Sequence, residues 1–333
     1  WPMIDRYEPH LNAEDREPKT TTTGAARSQP SSHRSAYRPT RPETGETESV
    51  QRLAFDPDLL VKLLWWFQPL QRTLEAKRQS RSTRQALTQM ALALLWAGLC
   101  HTIFAAAVLS MITAMWFGMT IGFGTVPAPL SWLVNLLLLL QFPLVHSILL
   151  TASGRRILGK LAPLGAGSTL ATTTYAIIAS LQLLSLFLLW TPSGIVWWQA
   201  EGWALGFVAV LYTCSWLLLM KASWDAGAEV QSGMLGWASL FRGVKPKFPP
   251  MPTGGLFRVV RQPIYVSFAL TTWFVSVWTP DQLMVATILT AYCLIGPLAK
   301  EKRFTAMFGG KWLDYKKDKP YWFPNLVKRA VQK

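Results

Sequence analysis

Three stretches of the chain are nearly free of charge. From Gln85 to Gly154 no Asp, Glu, Lys or Arg occurs, from Leu161 to Met220 only Glu201 is charged, and between Gln262 and Ala299 only Asp281 is. A helix at the surface of a soluble domain needs a charged face, so these blocks predict helices that cross a bilayer. Thr279-Pro280-Asp281 divides the last block: a turn, then a helix N-cap with proline at the first helical position. The predicted spans are Ala86 to Phe117, Ser131 to Thr151, Leu170 to Leu189, Trp203 to Met220, Ile264 to Trp278 and Gln282 to Leu298. A bilayer core takes about 20 helical residues, which makes the fifth span short.

Charge adds direction. The chain of 333 residues has a formal net charge of +15. That excess would suit nucleic acid if it formed one patch. Instead the basic residues fall in the N-terminal region, at Arg155, Arg156 and Lys160, from Lys221 to Arg261, and after Ala299, while the turns near Gly122 to Ala128, Thr191 to Gly202 and Trp278 to Gln282 contain no Lys or Arg. Cytoplasmic loops are enriched in Lys and Arg, so the alternation predicts an even number of crossings with both termini cytoplasmic and no nucleic-acid partner. The expected class is all-α: a polytopic membrane bundle of about six transmembrane helices with a C-terminal helical hairpin and cytoplasmic tails, in a bacterial inner membrane rather than an organellar one.

Residues 1–55, rich in Pro, Thr, Ser, Arg and Glu, are too poor in apolar side chains to fold alone and read as a disordered arm that could bind other membrane subunits. Residues 56–85 begin with the helix start Asp56-Pro57-Asp58 and set Trp65, Trp66 and Phe67 beside a basic run, which suits either the lipid headgroup region or the surface of another subunit. The bundle occupies 86–299 and a cytoplasmic segment 300–333. Cys100, Cys214 and Cys293 all fall inside apolar blocks, and no two of the four histidines have ligand spacing, so neither a disulfide nor a metal site is expected. A transporter is disfavoured, because no internal repeat and no ionisable residue deep in the spans are evident.

Polar chemistry must therefore sit at the cytoplasmic helix ends. One cluster is Arg258-Val259-Val260-Arg261-Gln262-Pro263-Ile264-Tyr265. The other runs from Lys300-Glu301-Lys302-Arg303-Phe304 through Phe308-Gly309, Trp312 and Tyr315 to Pro320-Tyr321-Trp322-Phe323-Pro324. The last hairpin brings both to one side. These residues resemble the isoprenylcysteine carboxyl methyltransferase and phospholipid methyltransferase group, which carries Arg-His-Pro-x-Tyr before a helical hairpin, then Glu-Glu, Phe-Gly and a terminal aromatic-Pro segment. With Gln141-Phe142-Pro143-Leu144-Val145-His146-Ser147 and Thr174-Tyr175-Ala176-Ile177-Ile178-Ala179-Ser180 added, the likeness points to the methanethiol S-methyltransferase and NnrU-like branch and covers roughly Ser131 to Pro324.

The resemblance implies a membrane methyltransferase that uses S-adenosylmethionine, with a small thiol or lipid-like acceptor and no metal. It implies a cofactor set of Arg261, Gln262, Tyr265, Glu301, Arg303, Trp312 and Tyr315, with Arg261 on the cofactor carboxylate, Glu301 on its amino group, and Tyr265 with Trp312 lining an adenine slot. Arg258 and His146 are the candidates on the acceptor side. Each has a plainer reading: Arg261 as a positive-inside anchor, Glu301 as a surface ion pair with Lys300 or Lys302, Tyr265, Tyr315 and Trp312 as interfacial aromatics, and His146 as one half of a helix-to-helix hydrogen bond. Two positions depart from the pattern. Gln262 stands where the group has His, which removes a titratable ring, and Lys300 replaces the first Glu of the pair, which reverses a charge. The alternative expectation is therefore a catalytically degenerate relative serving as a structural or assembly subunit of a larger membrane complex.

Overall fold

The computed structural model describes residues 83–324; the arm 1–55, most of the segment 56–85 and the last residues of the tail lie outside it. Ten helices follow in order: α1 Thr83–Trp116, α2 Leu130–Leu149, α3 Ala152–Leu161, α4 Gly167–Leu188, α5 Gly202–Asp225, α6 Ala228–Gln231, α7 Met234–Arg242, α8 Pro263–Trp273, α9 Pro280–Phe308 and α10 Gly310–Asp318. Among the described residues α1, α2, α4, α5 and α9 are long and apolar enough to cross a membrane. Their outward faces carry Leu94, Leu95, Leu109, Leu137, Phe207 and Val210, all exposed, the surface that lipid rather than water would cover. The protein is an all-α, multi-pass membrane bundle.

The fifth predicted span differs from expectation. Helix α8 has 11 residues and stops at Trp273. The chain then continues through 274–278 as an irregular segment ending in a strand, Val277–Trp278 (β2), that pairs antiparallel with Trp198–Gln199 (β1), Trp198 opposite Trp278. Eleven helical residues rise about 16 Å and five extended ones reach at most about 16 Å, so helix and strand together cover a bilayer core of ~30 Å. Non-helical backbone at that depth needs protein partners. Ser276 supplies two bonds to Trp116 O, from its N–H at 3.2 Å and its hydroxyl at 2.6 Å. Gln282 Nε2 donates to Thr272 O at 2.7 Å, satisfying a carbonyl at the end of α8.

The loops without Lys or Arg gather at this end. Asn135 exchanges bonds with Thr191, Nδ2 to the carbonyl at 2.8 Å and Oδ1 from the N–H at 3.1 Å. Thr279 donates to Gly118 O at 2.6 Å. Buried Asp281 accepts from Trp190 Nε1 at 3.0 Å, from Ser193 N at 3.1 Å and from the Ser193 hydroxyl. Helix α9 starts here as the sequence predicts, with Thr279 as N-cap accepting from Gln282 N and Pro280 in the first turn. The core beneath is built from Met115, Leu139, Phe187, Trp190, Val285 and Leu289. Midway along the bundle, α2 and α4 are joined by a glutamine pair: Gln141 Nε2 donates to Gln182 O at 2.9 Å, and Gln182 Nε2 donates to Gln141 Oε1 at 2.8 Å.

Candidate active site

Helix α9 does not end at Leu298 but runs on through Phe308, so Lys300, Glu301 and Arg303 project from a rigid helix. Consecutive helical residues point about 100° apart. Lys300 and Arg303, three apart, therefore share a face, and Glu301 points elsewhere. Both directions lead to buried clusters.

The outer cluster is ionic. Glu301, 4% exposed, accepts through Oε1 from Arg261 Nε at 3.2 Å and from Gln262 Nε2 at 3.0 Å, while Oε2 meets Lys316 Nζ at 2.9 Å. Arg261 Nη1 also donates to Lys316 O at 2.7 Å and Lys319 O at 3.0 Å, and its backbone N–H reaches Pro320 O at 2.9 Å. The guanidinium thus clamps the C-terminal segment onto α9. Fully buried Gln262 joins two charges, since its Oε1 accepts from Lys300 Nζ at 3.0 Å. Lys300 is itself buried, its ammonium 5.3 Å from the Phe304 ring centre and 5.7 Å from those of Phe257 and Tyr265, distances at which ring quadrupoles stabilise a cation. Tyr315 donates to Phe257 O at 2.7 Å, and burial pushes its phenol up from the ordinary tyrosine value. Trp312 is buried against Phe304 and Tyr315, with centroids 5.2 and 5.4 Å away.

The inner cluster surrounds a cavity of about 320 Å³ between α2, α3, α4, α8 and α9. Ligand pockets begin at about 300 Å³, so the space is of ligand-binding size. Aromatic rings of Phe142, Tyr175, Tyr265 and Tyr292 form much of its wall, and Arg155, Lys300 and Arg303 supply charge. The Tyr175 hydroxyl and His146 Nε2 lie 2.7 Å apart, the helix-to-helix bond that the plainer reading of His146 expected. His146 Nδ1 and Thr172 Oγ1, on the same wall, are buried without a hydrogen-bond partner. Among the described residues Arg303 makes no ion pair or hydrogen bond, so its guanidinium is available to a ligand.

Of the residues singled out in the sequence, Tyr265, Arg303 and His146 line this cavity; Arg261, Gln262, Glu301, Trp312 and Tyr315 sit in the outer cluster, which holds the C-terminal segment against α9, and Arg258 is exposed on a 3-10 turn. Tyr265 and Trp312 therefore do not form one slot. Sequence reasoning left out Arg155, Thr172 and Tyr292. Tyr292 had a signal in being a lone phenol within an apolar span, whereas Arg155 reads as an ordinary loop cation.

No family model matches the chain, and no solved structure matches it. Curated proteins do. The chain is 30% identical over 201 residues, 60% of its length and 74% of the relative's, to a protein named methanethiol S-methyltransferase from Pseudomonas deceptionensis. It is 29% identical over 197 residues, 59% of its length and 74% of the relative's, to methanethiol S-methyltransferase 2 of Bradyrhizobium diazoefficiens. A protein of the same name from Mycobacterium tuberculosis is 26% identical over 187 residues. By this similarity, and with a multi-pass helical bundle to match, the chain belongs to the membrane methyltransferase family whose curated members are named methanethiol S-methyltransferases.

Proposed function

We propose that the protein transfers a methyl group from S-adenosylmethionine to methanethiol or a similarly small thiol, within the cavity walled by Tyr265, His146 and Arg303. The observation that carries this reading is an aromatic-walled cavity with an unengaged guanidinium and two unpartnered buried polar atoms, His146 Nδ1 and Thr172 Oγ1. Buried polar atoms without partners are uncommon unless a ligand or water completes them. The wall fits the donor: Arg303 suits its carboxylate, the phenol rings of Tyr175, Tyr265 and Tyr292 suit a purine face or a sulfonium, and His146 and Thr172 can bond its nucleoside edges.

When bound, the donor supplies a methyl group on a positively charged sulfur. The protein's share is orientation and exclusion of water, since in-line displacement at such a centre needs alignment more than acid or base. Tyr175 fixes the His146 ring at 2.7 Å, and Arg261 and Glu301 clamp the C-terminal segment beside α9. A small apolar thiol would enter from the bilayer side. We place the basic end, with the cavity cations, in the cytoplasm, where the donor is made, in keeping with the distribution of Lys and Arg.

Calorimetric titration of S-adenosylmethionine into the detergent-solubilised protein, with Arg303→Ala as control, tests the donor. Release of dimethyl sulfide from methanethiol tests the acceptor. Micromolar donor binding lost in Arg303→Ala, together with dimethyl sulfide production, is expected; no binding at millimolar donor in folded protein would overturn the reading. A second reading, a retained scaffold acting as a subunit of a membrane complex through residues 1–55, is favoured by one observation: Arg261 and Glu301 satisfy each other rather than facing the cavity.

A further inference from the structure

We infer that the cavity takes its acceptor as an anion, the thiolate of a small thiol, and that Lys300 is the residue setting that preference; this rests on the methyltransferase reading above. Three cations line the cavity, Arg155, Lys300 and Arg303, and no Asp or Glu does. The nearest carboxylate in sequence, Glu301, is turned away and occupied by Arg261, Gln262 and Lys316. Arg155 spends a bond on Leu150 O at 3.2 Å. The ammonium of Lys300 is the best fixed of the three charges.

Its position is determined from three sides. Gln262 Oε1 accepts one of its protons at 3.0 Å, and the rings of Phe257, Tyr265 and Phe304 enclose it. An ammonium has three donors, and this is the single hydrogen bond Lys300 makes among the described residues, so two N–H groups are left for a ligand. The titratable groups around the same space are His146 from α2, Tyr175 from α4, Tyr265 from α8, and Tyr292 and Cys293 on α9 itself. None of them brings a negative charge at neutral pH. In a wall of low polarity, a fixed opposite charge favours the ionised form of a bound group by about one to three pH units. On binding, the thiol releases its proton to solvent. The lone pair of the thiolate sulfur then forms the new carbon–sulfur bond, and the electrons of the broken bond remain on the donor's sulfur.

The test uses the full-length protein in lipid nanodiscs without donor, with 13C-labelled methanethiol as ligand and 13C-labelled dimethyl sulfide as its uncharged comparator. The methyl resonance of bound methanethiol is followed against pH. A titration midpoint at least about one unit below that of the free thiol is expected, returning to the free value in Lys300→Met while dimethyl sulfide still binds. Independently of any variant, thiocyanate should displace bound methanethiol from the unmutated protein but leave dimethyl sulfide in place. An unshifted midpoint, no bound methanethiol, an unchanged Lys300→Met, or indifference to thiocyanate each overturns the inference. Calorimetry with S-adenosylmethionine on the same preparation separates the two readings. Donor binding with a protonated thiol keeps the methyltransferase and discards the thiolate; thiolate binding without donor does the reverse.

Discussion

Replacing Glu301 by alanine removes the acceptor shared by Arg261 and Gln262 and the partner of Lys316. The consequences for the three are unequal. Lys316 has a side chain 46% exposed, so its ion pair is largely screened and counts for little. Arg261 and Glu301 have side chains 11% and 6% exposed, and removing one member of a buried pair leaves the other charge uncompensated, a loss of about 3–5 kcal/mol. Two carbonyls, Lys316 O and Lys319 O, still hold the guanidinium, which moves the expectation to the lower end, about 3 kcal/mol. For a chain of this size that is a fall of roughly 4 °C in apparent melting temperature. Glu301→Gln, which keeps an amide oxygen for Gln262, should lose less than half as much. The assay is thermal unfolding in detergent. If Glu301→Ala melts within about 1 °C of the unmutated protein, the ionic cluster does not clamp the C-terminal segment and its assignment is wrong.

At the opposite end, Gly118→Ala should destabilise by about 1–3 kcal/mol, because Gly118 adopts φ 62° and a Cβ there would collide with the Val277 carbonyl; thermal unfolding measures it. Asp281→Ala, which orphans Trp190 Nε1 and the Ser193 N–H, should lose about 1–3 kcal/mol and blue-shift tryptophan emission little if Trp190 stays buried. A double-mutant cycle of Gln141→Leu and Gln182→Leu should give a coupling of about 0.6 to 1.7 kcal/mol, read from unfolding of the two singles and the double. Tyr321 is pushed up to about 12 from 10.0 by burial, and Tyr315 is raised for the same cause. A phenol raised in the folded state contributes stability that is complete below pH 10 and declines from there towards pH 12. Melting temperatures across that window should fall less steeply in Tyr315→Phe and Tyr321→Phe.

Much of the bundle could be read from charge alone, because lipid imposes a requirement that soluble cores do not: a span must be apolar on every side. The five long helices and the Thr279 N-cap with Pro280 behind it followed from that and from capping chemistry. The β1–β2 pair did not. A short fifth span is visible as a length, but whether it tilts, thins or unwinds depends on Trp116, Gln282 and Gln199 arriving from elsewhere in the chain. The amphipathic α3, with Leu158 buried and Arg155 on the cavity wall, is likewise too short and too polar to stand out beside its neighbours.

The residues singled out in the sequence fall into two clusters rather than one, and one helix boundary explains why. If α9 ended at Leu298, the residues after it would be free to turn Glu301 and Arg303 towards one ligand. Because α9 continues to Phe308, a helical rotation of about 200° separates Glu301 from Arg303. One of them can face the cavity and the other must face α10. Cys293, Lys300 and Arg303, at spacings of seven and three, occupy the inward face, and Glu301 the outward one, where Arg261 and Lys316 meet it. The exchange of charge at position 300 then has a consequence that the exchange at a surface position would lack. An acid on the inward face would neutralise Arg303 and disfavour any anion, whereas Lys300 adds to Arg303. Gln262, able to accept from Lys300 and donate to Glu301 at once, is the neutral residue that holds both neighbours of opposite sign on their separate faces.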